Sequence, residues 1–259
     1  MENIGFIGFG NMAQALAIGF NASEKGSSYR IFAYAPNQKK LKENCSRIGS
    51  VPCASLGELV SKSDTIFFAC KPYQIEGVLG EIGKDLEGKQ LVSVAAGWDY
   101  ERFAGLLPET AKIQCIMPNT PVSVSEGVLL VAEENNWDEN EREELLNLLG
   151  SVGRVVELPT RLMNAGMAVS GCGPAFVDMI IEALADGAVK NGIQRKQAYE
   201  LVCQTLIGSA KLQLETGIHP GELKDNVRSP GGVTIKGVAV LEEEGMRSAL
   251  IKAIDVCAK

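Results

Sequence analysis

Histidine is nearly absent from this chain, and its scarcity limits the metal chemistry that the sequence can support. His219 is the single histidine among 259 residues, and no two of the seven cysteines are spaced as C-x-x-C. Zinc sites use clustered cysteine and histidine, so we expect no metal site. An odd number of scattered cysteines is typical of reduced thiols, which predicts a cytoplasmic protein.

Clusters of positive charge and long uncharged apolar runs are missing as well. The net charge is −7 without a basic block, which predicts no nucleic-acid partner. A strand pattern begins at Asn3, so we expect no signal peptide. The most apolar helical pattern, 175–189, contains three acidic residues, which predicts no membrane span.

The residues that are present predict an α/β domain followed by a helical one. Up to residue 159, short apolar runs alternate with helical patterns such as 12–20, 38–45 and 140–149. This alternation predicts a Rossmann-type, doubly wound parallel sheet over residues 1–159. The predicted strands are 4–9, 29–35, 65–70, 91–95, 112–117, 127–132 and 154–157.

Residues 160–259 show helical patterns only. They cover 174–191 and 196–215, and shorter ones begin at Pro230 and Met246. Polar residues of the first pattern lie mainly on one stripe, so its other faces need cover that about 100 residues of helix cannot supply alone. We therefore expect an all-α dimerisation domain with a two-fold interface. The alternative is that the N-terminal domain covers these helices.

A glycine-rich turn follows the first predicted strand. Gly8, Gly10 and Ala13 form G-x-G-x-x-A between that strand and the first helix. Glycines in this context allow a tight turn and bring a pyrophosphate to the helix N-terminus. The turn predicts a dinucleotide site. Its candidate contacts are Gly8, Gly10, Asn11 and Met12.

The end of the second predicted strand favours one cofactor. NAD-binding domains place an acid there for the ribose 2′-hydroxyl, but no acid occurs between Glu24 and Glu43. The loop offers Asn37, Lys39 and Lys40 instead, which favours a 2′-phosphate. We expect NADPH as the cofactor, with NADH also accepted.

Three further strand ends carry small or polar residues, at 69–72, 93–97 and 117–121. Small residues at the carboxyl ends of parallel strands leave room for a cofactor, although each segment is also compatible with a plain turn. We interpret Lys71 as a contact to the cofactor. The alternatives are that it approaches the substrate or caps the end of the strand. The candidate contacts are Ala69, Lys71, Pro72, Ala95 and Asn119, the last through its side-chain amide.

A second anion-binding pattern lies near the C-terminus. Ser229 is predicted as a helix N-cap and Pro230 as the first helical residue, with two glycines following. The unpaired N–H groups of a helix start suit a small carboxylate, and the Thr234 hydroxyl would face it. The alternative is a capped helix start that binds nothing. His219, just before Pro220, is predicted to cap or pack rather than to act as an acid.

Taken together, these motifs resemble the pyrroline-5-carboxylate reductases over essentially the whole chain. The resemblance implies reduction of L-1-pyrroline-5-carboxylate to L-proline by NAD(P)H, the last step of proline biosynthesis. It also implies a helical C-terminal domain that interlocks two subunits, often in larger rings of dimers. The matching segments are 6–13, 70–72, 95–97, 117–121, 170–176, 182–187, 215–220 and 225–242.

The resemblance also implies roles for individual residues. Asn226 should lie near the nicotinamide ribose, and Thr234 should hydrogen-bond the ring nitrogen. The substrate carboxylate and nitrogen should be held by Ser229, Gly231, Gly232 and Thr234. Three positions depart from the family: Cys115 replaces a common Arg, Val233 a frequent Thr, and Leu56 an Asn on the adenosine side.

Two other functions stay open from the residues. One is another imine or β-hydroxyacid oxidoreductase of the same two-domain plan. The hydroxyacid enzymes use a lysine on the long helix, but Lys190 lies too near the end of its helix. The other is a regulatory protein that binds the nucleotide without turnover. The intact S-P-G-G-x-T motif argues against this second function.

Overall fold

The structure is a computed structural model that describes residues 2–259, and its first compact unit is built on one mainly parallel sheet. The strands are β1 (Asn3–Ile7), β2 (Arg30–Tyr34), β3 (Val51–Pro52), β4 (Thr65–Phe68), β5 (Gln90–Ser93), β6 (Lys112–Pro118), β7 (Gly127–Asn135) and β8 (Gly153–Leu158). Their order is β3-β2-β1-β4-β5-β6-β7-β8. The direction of winding reverses between β1 and β4, where open α/β sheets bind ligands. The predicted doubly wound sheet is confirmed.

Seven helices accompany the sheet, and a hydrophobic core lies on each of its faces. Adjacent residues of β4 point in opposite directions, so Phe67 joins one core and Phe68 the other. Both are fully buried, which contributes about 1.5–3 kcal/mol each. The helices are α1 (Asn11–Ala22), α2 (Gln38–Ile48), α3 (Leu56–Lys62), α4 (Ile75–Ile82), α5 (Tyr100–Ala104), α6 (Glu139–Gly150) and α7 (Thr160–Ser170).

The structure corrects the predicted sheet in three ways. Strand β3 was not predicted, because it has two residues and one of them is Pro52. Strand β7 runs antiparallel to β6, since the short connection between them cannot make a parallel crossover. The predicted strands 4–9 and 65–70 run two residues past β1 and β4. Those extra residues belong to the turns at the strand ends.

Helix α7 was not predicted either, and it packs in the first unit. A Cβ at Gly166 would lie 2.6 Å from Cδ1 of Leu130 on β7 and 2.8 Å from Cδ1 of Leu158 on β8. Only glycine permits so close an approach of the helix to the sheet. Packing therefore divides the chain after Gly171, whereas the boundary predicted from the sequence, at 159, marks the end of the sheet.

The second unit, Cys172–Lys259, is entirely helical. Its helices are α8 (Gly173–Lys190), α9 (Arg195–Thr216), α10 (Pro220–Asn226), α11 (Val233–Glu243) and α12 (Met246–Cys257). Within residues 172–259, all of which are described, only Ala185 and Ala198 are buried. Such exposure is unusual for a soluble monomer and fits the predicted subunit interface. Large exposed apolar side chains include Met179, Leu184, Leu201, Ile207, Leu214, Val233, Ile251 and Val256.

The stretch Thr160–Lys190 is long and apolar enough to cross a membrane by length and composition alone. The structure divides it into α7 and α8, and α7 packs on the sheet of the first unit. Helix α8 also carries Asp178, Glu182 and Asp186. These features make the stretch weak evidence for a membrane span.

Candidate active site

A crevice of about 660 Å³ opens at the carboxyl ends of β1, β2, β4 and β5. It lies at the point where the strand order reverses. Nine of the eleven predicted cofactor residues line it, and their contact with a cofactor stays a prediction. These nine are Gly8, Gly10, Asn11, Met12, Asn37, Ala69, Lys71, Pro72 and Ala95.

The glycine turn forms the floor of this crevice. Gly8 has φ +87°, and a Cβ there would lie 2.6 Å from the backbone nitrogen of Cys70. Gly10 has φ −80°, and a Cβ there would meet no protein atom within 4 Å, so the space beside Gly10 is open. The first N–H groups of α1 have no partner within the helix. The turn therefore has the room and the donors that a pyrophosphate needs.

Asn119 is not among the residues that line the crevice, and its contact with a carboxamide stays a prediction. The side chain is buried, and its Nδ2 donates to the carbonyl oxygen of Ser170 at 2.9 Å. Its Oδ1 accepts from the Val128 nitrogen at 2.8 Å. The amide is therefore engaged with buried backbone groups of β7 and α7, and the neighbouring Thr120 lines the crevice instead.

The two loop residues that the sequence singled out each begin a helical turn. Asn37 is the N-cap of α2, since its Oδ1 accepts from the Lys40 nitrogen at 3.0 Å. The backbone nitrogen of Lys71 donates to Oε1 of Gln74 at 3.1 Å, at the start of a short 3₁₀ turn. Among residues 2–259, no carboxylate pairs with the ammonium group of Lys71.

The crevice also has lining residues that sequence reasoning missed. Lys40 comes three residues after Asn37, and Asn44 comes four residues after Lys40, so all three share one face of α2. Gln14 lies one turn after Gly10 on α1. Spacings of three and four residues along a helix identify Lys40, Asn44 and Gln14, once the first residue of each helix is known.

A smaller cavity of about 150 Å³ shares Ala95 with the crevice. One wall is Trp98, over which the Arg102 guanidinium lies 3.9 Å from the ring centroid. Another wall is Cys115, where burial raises the pKa of the thiol to about 12. The position where the family commonly has an arginine thus holds a neutral, buried thiol.

The segment at Ser229 differs from its prediction. Helix α11 begins at Val233, with Gly232 as the N-cap, so neither Ser229 nor Pro230 has its predicted position. The Gly232 nitrogen donates to the Ser229 carbonyl at 3.0 Å, and Gly231 has φ +71°. Proline followed by a glycine with positive φ suits the two central positions of a type II turn. This turn forms in place of the predicted first helical turn.

Thr234 is the second residue of α11 and lies in its first turn, as predicted. A Cβ at Gly232 would lie 2.4 Å from Oγ of Ser229, so the serine hydroxyl lies directly over that glycine. Ser229 thus lies beside the N-cap of α11, Gly232, which precedes Thr234 by two residues. Substrate contact by these residues, and by Gly231, stays a prediction.

Residues just before this turn are held by caps and ion pairs. His219 is the N-cap of α10, and its Nδ1 accepts from the Gly221 nitrogen at 3.0 Å, which confirms the predicted capping role. The hydrogen bond from Lys224, together with the charge of Arg228, lowers the pKa of Asp225. Asn226 is the last residue of α10, and its predicted contact with the ribose stays a prediction.

Comparison with known proteins shows which family has this fold and this crevice. A family described as pyrroline-5-carboxylate reductase dimerisation matches residues 160–259, and one described as NADP oxidoreductase, coenzyme F420-dependent, matches residues 3–97. The chain is 40% identical to the pyrroline-5-carboxylate reductase of Treponema pallidum, over 97% of each chain. It is 40% identical to the Escherichia coli enzyme of the same name, over 99% of this chain and 96% of that one.

A solved structure agrees with these relatives. The Plasmodium falciparum pyrroline carboxylate reductase with NADP bound has a TM-score of 0.88 at 31% identity, over 99% of this chain and 95% of that one. Fold, crevice and similarities together define an NADP-linked oxidoreductase with a helical dimerisation region. The chain belongs to the pyrroline-5-carboxylate reductase family. The exposed apolar helices of the second unit lie in the region that the family uses to form dimers.

Proposed function

We propose that the chain reduces L-1-pyrroline-5-carboxylate to L-proline with NADPH in the cytoplasm, as the last step of proline biosynthesis. The observation that carries the proposal is the crevice at the point where the strand order reverses. It combines an open glycine turn with an acid-free end of β2. NADH is also accepted, because the turn itself does not distinguish the two cofactors.

The start of α11 is proposed to hold the substrate carboxylate. The first N–H groups of this helix have no partner within it, and the N-cap Gly232 adds no side chain. Ser229 adds a hydroxyl beside Gly232. A small carboxylate matches these donors in size and charge. Ser229, Gly231 and Gly232 therefore fix the acid end of the substrate.

Thr234 is proposed to bind the ring nitrogen through its hydroxyl. NADPH, when bound, supplies the hydride that reaches the imine carbon, and the nitrogen must carry a proton for that carbon to be electrophilic. A threonine hydroxyl is too weak an acid to provide the proton alone near neutral pH. Thr234 therefore orients the nitrogen and passes a proton from water. The electron pair of the C=N bond remains on nitrogen, which becomes the ring amine.

Steady-state kinetics test the activity. The reductase should turn over pyrroline-5-carboxylate with NADPH, and more slowly with NADH. A faster reaction with cyclic imines of another ring size would identify a different imine reductase. Binding of NADPH without any turnover would identify a regulatory protein instead.

Variants of Thr234 test the mechanism. Thr234→Ala should lower kcat/KM for the imine by roughly 10- to 100-fold, the range expected when a hydrogen bond to a charged group is lost. Thr234→Ser restores the hydroxyl and should recover most of that loss. Wild-type kcat/KM in Thr234→Ala would exclude the proposed role.

Variants of Gly231 test the carboxylate site. Gly231→Ala should raise the substrate KM more than the cofactor KM. Gly231 has φ +71°, which asparagine tolerates better than alanine, so Gly231→Asn separates backbone strain from loss of binding. A larger effect on the cofactor KM would place the carboxylate elsewhere.

The helical region is proposed to assemble dimers into a larger ring. The exposed apolar residues of α8 and α9 support association beyond the single chain. Light scattering coupled to size exclusion measures the mass directly. A mass of two chains would restrict the assembly to the dimer.

A further inference from the structure

The outer wall of the cofactor crevice is one face of α2, and Lys40 is the one cation of this helix that lines the crevice. Asn37, Lys40 and Asn44 line the crevice, whereas Lys39 and Lys42 do not. The spacing of three and four residues places the lining side chains on one side of the helix. The three lysines in this part of the sequence are therefore not equivalent, because only Lys40 faces the ligand space.

Lys40 also has no charged partner. Within the described part of the chain, residues 2–259, no carboxylate lies within ion-pair distance of its ammonium group. The crevice lining includes no aspartate or glutamate, and Lys71 is the other lysine on it. The protein has a net charge of −7, so an unpaired cation in an acid-free crevice is a local exception. Such a site attracts an anion in spite of the overall charge.

The other cation near this wall already has hydrogen-bond partners and does not itself line the crevice. Arg47 donates from Nη2 to Oε1 of Gln14 at 2.6 Å and to Oδ1 of Asn44 at 3.5 Å. Asn37 accepts with Oδ1 from the Lys40 nitrogen, so only its NH₂ group remains to donate. Two donors of the right kind for a phosphate, from Lys40 and Asn37, thus stand together after β2.

We propose that Lys40 is the residue that sets the preference for NADPH, by pairing with the 2′-phosphate of the adenosine ribose. In dinucleotide-binding sheets the ribose 2′ position lies at the end of the second strand, where an acid would select NADH. Here β2 ends at Tyr34, and α2 presents Lys40 to the crevice instead. Asn37 adds the second donor. The inference rests on the proposed function only for the identity of the cofactor.

Lys40→Gln and Lys39→Gln form a matched pair for the test, because both lysines are exposed on the same helix and only one faces the crevice. Dissociation constants are measured by calorimetry for NADPH, NADH, adenosine 2′,5′-bisphosphate and 5′-AMP. Lys40→Gln should weaken NADPH and the bisphosphate by roughly tenfold or more, as for the loss of a charge-assisted hydrogen bond. NADH and 5′-AMP should change less than about twofold, since neither has a 2′-phosphate.

The controls decide what a loss of affinity means. Lys39→Gln should bind all four ligands as the parent does, and Lys40→Arg should retain the preference for NADPH. Equal weakening of NADPH and NADH in Lys40→Gln would overturn the proposal, as would an equal loss in Lys39→Gln or no loss at all. These binding measurements do not use the imine, so absence of turnover would reject the reductase function and leave the role of Lys40 standing.

Discussion

The side chain of Gln14 accepts a hydrogen bond from Arg47 at 2.6 Å and thereby ties α1 to the end of α2. The Nε2 of Gln14 donates to the Phe9 carbonyl at 2.9 Å, inside the glycine turn. A residue outside the crevice thus supports the backbone that is proposed to receive the pyrophosphate.

Arg47→Met should therefore weaken NADPH and NADH to a similar extent. Loss of one hydrogen bond of about 1 kcal/mol corresponds to roughly fivefold in the dissociation constant. Lys42→Met, on the same helix but off the crevice, serves as the control for charge. A loss confined to NADPH would show that Arg47 binds the 2′-phosphate and does not position the turn.

The two glycines of the turn should respond differently to alanine. Gly8→Ala places a Cβ at φ +87° against the backbone of Cys70, so it should lower Tm by about 4 °C or more. Gly10→Ala meets no protein atom and has an ordinary φ, so Tm should stay close to the parent value. Its methyl group instead fills the space proposed for the pyrophosphate. Calorimetric titration with NADPH should show weak binding in a fully folded Gly10→Ala, and parental affinity would contradict the site.

Two buried thiols should make stability fall at alkaline pH. Burial raises the pKa of Cys45 to about 11 and that of Cys115 to about 12. The unfolded chain releases these protons near pH 9, before the folded chain does, so unfolding becomes more favourable above that pH. The stabilisation is complete below about pH 8.5 and is lost as the pH rises toward the folded values.

Urea unfolding at pH 7.5, 9 and 10 measures this effect. The double variant Cys45→Ala, Cys115→Ala should have a lower free energy of unfolding throughout, because it leaves cavities, but a shallower decline with pH. Native labelling with a maleimide at pH 8 should also spare both thiols. An unchanged slope in the double variant would assign the alkaline loss to other groups.

Charge placed on the exposed apolar face of α9 should disrupt the dimer. Leu214 is 80% exposed in the single chain, and Ile207 lies two turns earlier on the same face. Leu214→Asp should shift the mass measured by light scattering toward one chain, because a buried unpaired carboxylate is costly. Leu106→Asp, at an exposed leucine of the first unit, should remain dimeric. Equal effects of the two substitutions would contradict an interface formed by α9.

Much of the sheet was predictable, because strands buried on both faces are short, continuous apolar runs between turn residues. Strand β4 is buried along its whole length, and its continuous apolar run predicts it from the sequence. Strand β3 has two residues and too little pattern to detect. The reversal of β7 depends on the connection before it, which carries no periodic signal.

The site was predictable where local sequence determines it. The glycine turn and the strand ends are local features, and they meet at one edge because parallel strands end together. The hydrogen bond from Asn119 to Ser170 was not predictable, because the two residues are 51 positions apart in the sequence. Ser229 was misread because proline followed by glycine suits a turn as well as a helix start. The sequence alone does not show that Lys40, and not Lys39, lines the crevice, because this depends on which residues of α2 face the crevice.

The acid-free crevice implies that dissolved salt acts on cofactor binding in two opposing ways. A dinucleotide approaching a protein of net charge −7 is repelled at long range, and at an ionic strength of about 0.1 M dissolved ions screen that repulsion beyond about 10 Å. Close to Lys40 and Lys71 the same ions compete with the bound phosphates. Moderate ionic strength should therefore speed the arrival of the cofactor while shortening its stay.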